Sequence, residues 1–130
     1  MLLGIDICST DRMRKALDRS PFLRGEVFSP GEQEYCDDSR YPETHYAARW
    51  AAKEACLKAH GLSPMAYDLT RLEVVHAEGG RPVLRVGCPE IRADLARVSR
   101  AGDLEDRDPR IQLSISHERD YAVACVMVTP

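Results

Sequence analysis

The chain has 130 residues, of which 44% are hydrophobic and 30% charged, a composition typical of one domain with a modest single core. Its net charge of −3 gives no general reason to expect nucleic acid as a partner, and no stretch approaches the roughly 20 apolar residues that span a membrane. Five widely spaced cysteines without a Cys-x-x-Cys pair argue against a disulfide framework and a structural zinc site. Because Asp6 stands where a signal peptide keeps an apolar run, we expect a cytoplasmic protein with a single domain over residues 1–130.

The N-terminal half of the sequence predicts one strand and three helices. The strand is short and apolar, and its two-residue period turns Asp6 to the face opposite Ile5 and Ile7. The longest helix is rich in alanine and free of Gly and Pro, and Gly61 follows it as a left-handed C-cap. The predicted elements are a strand at residues 2–7, a helix that begins after Ser9 or Thr10 and ends by Ser20-Pro21, a short helix from Ser29 toward Cys36, and a long helix from Glu43 to His60.

The C-terminal half predicts mainly strands. A turn at residues 78–82 separates two runs of β-type residues, and a polar turn at residues 117–120 separates two more. The predicted elements are a hairpin with strands at 69–75 and 83–86, a helix at 90–99, a loop at 100–110, and strands at 111–116 and 121–128. The sum is an α+β fold in which one long helix packs on a small, mainly antiparallel sheet.

The segment from Arg49 to Lys58 in the long helix gives the first indication of chemistry. Glu54 and Lys58 stand four apart and share a face, so the carboxylate can hold a divalent cation while the ammonium reaches a phosphate beside it. The alternative is an ordinary exposed ion pair worth about 0.2–0.5 kcal/mol. Taken alone, the segment favours that alternative, because such pairs are common.

Three separate features of the sequence would form a site if the fold brings them together. They are Asp6, which we place at the end of the first strand, the Glu54 and Lys58 pair, and Ser116-His117 at the last turn. Mg²⁺ is usually held by one or two protein carboxylates, so Asp6 and Glu54 would suffice, and Lys58 would then neutralise a phosphate oxygen. Each signal is weak by itself, since a strand-end Asp and a turn His are common, and spacing does not prove that they meet.

The first helix carries a basic ridge on an acidic protein. Arg12, Lys15 and Arg19 follow one another at spacings of three and four, and Arg14 lies near by; these four residues are the basic ridge. On spacing alone the basic ridge is equally compatible with a solvated helix face.

Motifs along the whole chain resemble the ordered signature of the holo-acyl-carrier-protein synthases, the small 4′-phosphopantetheinyl transferases. They are Gly4-Ile5-Asp6-Ile7, Arg49-Trp50-Ala51-Ala52-Lys53-Glu54-Ala55, Ser114-Ile115-Ser116-His117 and Asp120-Tyr121-Ala122-Val123-Ala124. The similarity also includes Phe28-Ser29 with Glu32, Tyr35-Cys36 and Gly80-Arg81-Pro82. Because the motifs occur in the right order, they carry more weight together than any of them does alone.

The resemblance implies transfer of the phosphopantetheine arm of coenzyme A to a serine of an acyl carrier protein, leaving adenosine 3′,5′-bisphosphate. It places the metal carboxylates on Asp6 and Glu54 and the phosphate-contacting lysine on Lys58. Coenzyme A would also contact Ser116 and His117, and Pro82 would lie near its nucleotide. Arg49 is a further candidate phosphate ligand, and the general base is left open between Glu54 and a metal-bound water.

The resemblance further implies a homotrimer with active sites between subunits and docking of the acidic carrier on the basic ridge of the first helix. The carrier can belong to fatty-acid synthesis or to a polyketide or peptide assembly line. Two other functions remain open at this point: a non-catalytic module that only binds carriers, and a metal-dependent phosphohydrolase of nucleotides. The second would need an activated water in the line of attack, and the sequence shows no dense carboxylate or histidine cluster for two metals.

Overall fold

The computed structural model describes residues 1–99 and 110–129 and contains two antiparallel sheets and five helices in those ranges. The helices are α1 (Thr10–Arg19), α2 (Leu23–Val27), α3 (Pro30–Asp37), α4 (Pro42–Ala59) and α5 (Pro89–Ser99), and the strands are β1 (Leu2–Ser9), β2 (Leu72–His76), β3 (Pro82–Val86), β4 (Arg110–His117) and β5 (Tyr121–Thr129). Among these residues no helix is both long and apolar enough to cross a membrane.

The larger sheet has the strand order β1-β5-β4, so the final strand lies between the first strand and β4. In its register Asp6 lies opposite Ala124 and Ile7 lies opposite Val123. β2 and β3 form a separate hairpin. The predicted α+β class and the antiparallel arrangement are confirmed.

Helix α4 packs across β1 and β5, and small side chains make this contact close. Five alanines of α4 are buried: Ala47, Ala48, Ala51, Ala52 and Ala55. Gly4 of β1 lies directly against the helix, where a Cβ atom would stand 1.9 Å from the carbonyl oxygen of Ala55. β1 can therefore approach α4 only because residue 4 has no side chain.

The two faces of the larger sheet differ in exposure. Toward α4 the sheet buries Gly4, Ala122, Ala124, Val126 and Val128. On the opposite face Leu3, Ile5 and Ile7 are 61–68% exposed, beside half-buried Val123, Cys125 and Met127 of β5. Asp6 and the two isoleucines do lie on opposite faces as predicted, but the charged residue faces the helix and the apolar residues face outward.

The predicted helix boundaries agree with the structure to within a residue or two. Ser9 caps α1 by accepting a hydrogen bond from the Arg12 amide, and Ser29 and Glu32 form a capping box at α3. Gly61 has φ of 66°, as its predicted role at the end of α4 requires.

Four features of the structure differ from the sequence-based predictions. β1 extends to Ser9, so Asp6 lies within the strand and not at its end. The first strand of the hairpin begins at Leu72, because Leu69–Arg71 forms a 3₁₀ turn that Asp68 caps. Helix α2 was not predicted, and β4 begins at Arg110, while the rest of the predicted loop at 100–110 lies outside the described residues.

Candidate active site

Two rows of side chains run along α4 at four-residue spacing and face different surroundings. Trp50, Glu54 and Lys58 face β1 and α1. His45, Arg49 and Lys53 face α3. Because an α-helix turns by about 100° per residue, neighbouring positions on one helix can serve separate sites.

An open cleft of about 430 Å³ lies between β1, α1, α2 and α4. Asp6 and Glu54 both line this cleft, and Arg12 lines it from α1. Its apolar walls are formed by Met13, Ala16, Leu23, Phe28 and Trp50. The structure therefore brings the two predicted metal carboxylates into one cavity.

Lys58 lies beside these carboxylates and is bonded to one of them. Its Nζ lies 2.6 Å from Oδ1 of Asp6, and this hydrogen bond holds the pKa of the Lys58 ammonium above its usual range. The Lys58 side chain is 53% exposed, whereas that of Asp6 is 12% exposed. A charged donor is thus held at the rim of the cleft by a carboxylate that lies deeper.

The surroundings of Glu54 disfavour the ionised form of its carboxyl group. Partial burial raises its pKa, the negative charge of Asp6 raises it further, and Lys58 opposes both effects. Two carboxylates that repel each other in a partly desolvated cleft are stabilised by a cation that both can reach.

The donors at this site fit a hard divalent cation. Mg²⁺ takes oxygen ligands, often only one or two protein carboxylates, and leaves its other positions to water and phosphate. No cluster of three or more His, Cys, Asp or Glu side chains suited to a metal occurs in residues 1–99 or 110–129. Asp6 and Glu54 therefore match an ion shared with a phosphate-bearing ligand better than a closed structural metal site.

The residues predicted to bind coenzyme A do not all reach the cleft. Ser116 lies in register with Val123 and so points to the outward face, opposite to Asp6. His117 lies near the start of α4. Pro82 pairs with His76 directly beside the turn of the hairpin. Within one chain the structure does not bring Ser116, His117 or Pro82 to the two carboxylates.

His117 instead belongs to an aromatic and basic cluster that the sequence analysis missed. This histidine cluster comprises Tyr35, His45, Arg49, His76 and His117. The Tyr35 ring stacks on His76 at 4.5 Å, and the Arg49 guanidinium lies 4.3 Å from the centre of the same ring. Burial lowers the pKa of His45 and His76, and nearby Arg49 lowers both further.

Arg49 is the best placed of this cluster to bind an anion. Its side chain is almost fully buried, Nη1 donates to the carbonyl of His45 at 3.3 Å, and Nε has no hydrogen-bond partner among the described residues. No periodic pattern in the sequence links Tyr35, His45 and His76, which come from three different elements. Only the folded chain reveals the histidine cluster.

The basic ridge of α1 is partly neutralised by the helix itself. Asp11 lies 2.6 Å from Arg14 and 2.9 Å from Lys15, and Asp18 also approaches Arg14. Arg12 differs from these two because it lines the cleft beside Asp6 and Glu54. Of the basic ridge, Arg12 is therefore the residue that the structure places at the candidate active site.

Known proteins resemble this chain in sequence over nearly its whole length. It is 36% identical to the holo-[acyl-carrier-protein] synthase of Cytophaga hutchinsonii over 126 residues, which cover 96% of this chain and 94% of that protein. It is 38% identical to the holo-[acyl-carrier-protein] synthase of Syntrophus aciditrophicus over 129 residues, which cover 96% and 92%.

The fold is likewise that of a known structure. The ACPS–CoA complex of Chronobacterium ammoniagenes matches with a TM-score of 0.81 and 29% identity, covering 98% of this chain and 96% of that one. These similarities confirm the resemblance found in the sequence and the transferase activity that it implied. The model of the 4′-phosphopantetheinyl transferase superfamily matches residues 2–126, and the chain belongs to that family.

Proposed function

We propose that Asp6, Glu54 and Lys58 form the catalytic centre of a holo-acyl-carrier-protein synthase. The reaction moves the 4′-phosphopantetheine group of coenzyme A to a serine of an apo acyl carrier protein and releases adenosine 3′,5′-bisphosphate. The observation that carries the proposal is the convergence of the two carboxylates in one cleft, with Lys58 2.6 Å from Asp6.

In this reaction the serine Oγ forms a bond to the β-phosphorus of coenzyme A, and the bond from that phosphorus to the oxygen of the bisphosphate breaks. The serine proton passes to a base, either Glu54 or a water molecule. Negative charge grows on the leaving bisphosphate, so positive charge fixed beside it lowers the barrier. Lys58 supplies such a charge, and the partly desolvated cleft strengthens its effect.

Asp6 and Glu54 are the residues that would hold Mg²⁺. When bound, the ion neutralises negative charge on the pyrophosphate oxygens. Asp6 also orients Lys58 through their hydrogen bond, so the same carboxylate serves the ion and the ammonium.

The nucleotide end of coenzyme A is assigned to Arg49, Pro82, Ser116 and His117 of a neighbouring copy in a homotrimer. Two observations support this assembly. Ser116 faces away from the carboxylates of its own chain, and the same outward face exposes Leu3, Ile5 and Ile7. A contiguous apolar surface of this kind is typical of a subunit interface.

The carrier docks on α1 in this proposal. Carrier proteins are acidic, and Arg12, Arg14, Lys15 and Arg19 offer complementary charge on the helix that lines the cleft through Arg12. Such charge chiefly accelerates encounter and fixes orientation, and salt weakens it. We further propose that the chain is a single cytoplasmic domain, which is consistent with five free thiols among its described residues.

The experiment that tests the function incubates the protein with coenzyme A, Mg²⁺ and a panel of apo carriers and weighs each carrier by mass spectrometry. A mass gain of one phosphopantetheine on at least one carrier supports the proposal, and Asp6→Asn should remove it. Carrier binding without any mass gain and without Mg²⁺-dependent coenzyme A binding would instead indicate the non-catalytic carrier-binding module. Release of adenosine 3′,5′-bisphosphate without a carrier would indicate the phosphohydrolase.

A further inference from the structure

Lys53 occupies the position beside Glu54 on α4 but points away from the cleft into the core. Its ammonium donates to three oxygens: the Val27 carbonyl at 2.5 Å, Oε1 of Glu32 at 2.6 Å and the Leu69 carbonyl at 2.8 Å. The side chains of Lys53 and Glu32 are both fully buried. This ammonium therefore uses all three of its N–H groups on fixed acceptors from three separate segments.

The Val27 carbonyl is significant because it belongs to α2, which forms one wall of the cleft. The wall residues Leu23 and Phe28 lie at the first position of α2 and directly after its last. α2 has only five residues and no side-chain bond at its N-terminus. So short a helix is not stable by itself, and its position depends on its attachments.

Three attachments fix α2 and the residue after it. Lys53 binds the Val27 carbonyl, Gln33 donates to the Phe28 carbonyl at 2.9 Å, and Arg24 pairs with Asp37 at the surface at 3.2 Å. Gln33 and Asp37 belong to α3. Of these three, only the Lys53 bond reaches the helix that carries Glu54, and it is reinforced by Tyr46 of that helix, whose ring lies against Arg24 at 5.2 Å and against Phe28 at 4.8 Å.

We infer that Lys53 is a positioning residue that sets the distance between the α2 wall and Glu54, and thereby the approach of the carrier serine to the cleft. Its ammonium also lies 5.2 Å from the centre of the Phe28 ring, which packs edge-on against Tyr46 of α4. The inference rests on the proposed function. It adds a residue that contacts neither substrate nor metal.

The carrier, and not coenzyme A, is the substrate that this wall affects. α2 follows directly on α1, the proposed docking helix, and exposed Phe22 lies at the junction. None of the residues assigned to coenzyme A belongs to the α2 wall: Asp6, Glu54 and Lys58 serve its pyrophosphate from β1 and α4, and Arg49, Pro82, Ser116 and His117 lie outside the cleft. Displacing the α2 wall should therefore change the KM for carrier and leave the KM for coenzyme A unchanged.

If Lys53 only stabilised the fold, its loss would leave the KM for carrier equal to that of a variant in which only its partner Glu32 is changed. Substitution of Glu32 therefore distinguishes a structural role from a positioning role. Glu32 accepts from the amides of Ser29 and Val74 as well as from Lys53. Glu32→Gln removes the negative partner of Lys53 and one carboxylate acceptor, so it is destabilising, but it leaves the Lys53 bonds to Val27 and Leu69 in place. Lys53→Met combined with Glu32→Gln removes both charges, so no unpaired buried charge remains, and it also releases the wall.

The experiment measures kcat and both KM values for wild type, Glu32→Gln and the double variant, at a temperature well below the Tm of each. We expect the double variant to raise the KM for carrier at least about fivefold relative to Glu32→Gln, with the KM for coenzyme A within about twofold. We also expect faster hydrogen exchange at the Glu26 and Phe28 amides, which close the turns of α2, in the double variant but not in Glu32→Gln. Equal KM values for carrier in the two variants would overturn the inference.

If the double variant does not fold, Gln33→Ala decides the question. It loosens the same wall at the Phe28 carbonyl without touching the charge pair, so it should raise the KM for carrier in the same direction by a smaller factor. No change in that KM would overturn the inference. Failure of wild type to modify any carrier would refute the proposed function instead, so the two failures are distinguishable.

Discussion

Lys53 and Lys58 lie on the same helix and each pairs with a carboxylate at 2.6 Å, yet they have opposite properties. Lys53 is fully buried and has three acceptors, and burial lowers the pKa of its ammonium. Lys58 is 53% exposed, and its hydrogen bond to Asp6 raises its pKa. The buried pair has no capacity left for a ligand, whereas the exposed pair can exchange partners when a phosphate or a cation arrives.

The largest effect should come from the exposed pair and concerns activity alone. Asp6→Asn and Glu54→Ala should each lower kcat by roughly 10²–10³-fold or more, the cost typical of removing a group that stabilises transition-state charge. Their Tm should remain close to that of wild type. The carrier mass assay and thermal unfolding measure both quantities, and Glu78→Gln, an exposed carboxylate in the hairpin turn, is the control. Near-normal turnover in either variant would remove that residue from the catalytic centre.

The buried pair should show the reverse pattern. Lys53→Met leaves Glu32 charged and buried without its partner, which costs about 3–5 kcal/mol of unfolding free energy. Lys58→Met removes a partly exposed pair and should cost within about 1 kcal/mol. Urea unfolding of the two variants checks this. Equal losses of stability would show that the two pairs do not differ as described.

A third test moves β1 away from α4 without substituting any charged residue. Gly4→Ala introduces a Cβ at 1.9 Å from the Ala55 carbonyl oxygen, so β1 must move and carry Asp6 away from Glu54 and Lys58. We expect a stability loss of about 1–3 kcal/mol, as for other overpacked cores. We also expect a loss of roughly 10²-fold in kcat, because small misplacements of catalytic groups are costly.

The control for that test is Gly25→Ala. Its Cβ would meet nothing within 4 Å, so the same change of residue should leave stability and kcat near those of wild type. Equal kinetics for the variants at positions 4 and 25 would contradict the positioning role of Gly4.

A smaller effect should distinguish two arginines of the basic ridge. Arg14 already pairs with Asp11 at 2.6 Å, whereas Arg12 lines the cleft. Arg12→Gln should therefore raise the KM for carrier by a few-fold, and Arg14→Gln should raise it less. Both differences should shrink at high salt. A larger effect of Arg14→Gln would place the carrier on another part of α1.

The smallest effect concerns His60. It is buried like Lys53, but only one of its two ring nitrogens has a hydrogen-bond partner among the described residues. Its Nδ1 lies 2.8 Å from the Cys56 carbonyl, and Nε2 has no partner in the described part of the chain. Burial lowers the pKa of His60 below its ordinary value of 6.5. Below pH 6.5 the unfolded chain binds more protons than the folded one, so stability is full above that pH and falls as the pH drops.

We therefore expect Tm to fall between pH 7 and pH 5, and His60→Gln, which stays neutral throughout, to show a shallower fall. Thermal unfolding across this range measures the difference. Parallel curves for wild type and variant would exclude a contribution from His60.

Much of the fold could be predicted because its signals are local. Ser9, Ser29 and Gly61 act on their own helix ends, and each does so in the structure. Helix α2 escaped prediction because Lys53, 26 residues from Val27 in sequence, holds it, and no local pattern reports that bond. The outward exposure of Ile5 and Ile7 was equally hidden, since alternation shows that two faces differ but not which one meets α4.

The candidate site likewise contains residues that local signals predicted and residues that only the packing of distant segments brings together. Glu54 and Lys58 were found because their spacing on α4 is a local signal, and Asp6 joined them as an acid in the first predicted strand before the family motifs supported that choice. The histidine cluster was missed because Tyr35, His45 and His76 come together only through packing of α3, α4 and β2. The pairing of Lys58 with Asp6, 52 residues away, likewise depends on how closely Gly4 lets β1 approach the helix.

The pairing of β1 with β5 has a consequence for synthesis on the ribosome. Residues 2–9 are made before residues 121–129, with which they form hydrogen bonds, and more than 100 residues separate the two strands. Helices α1 to α4 can form earlier, because their contacts are local, but Asp6 has no strand to hold it in place until β5 has been made. A nascent chain is therefore expected to be inactive until β5 leaves the exit tunnel, however well its helices have formed.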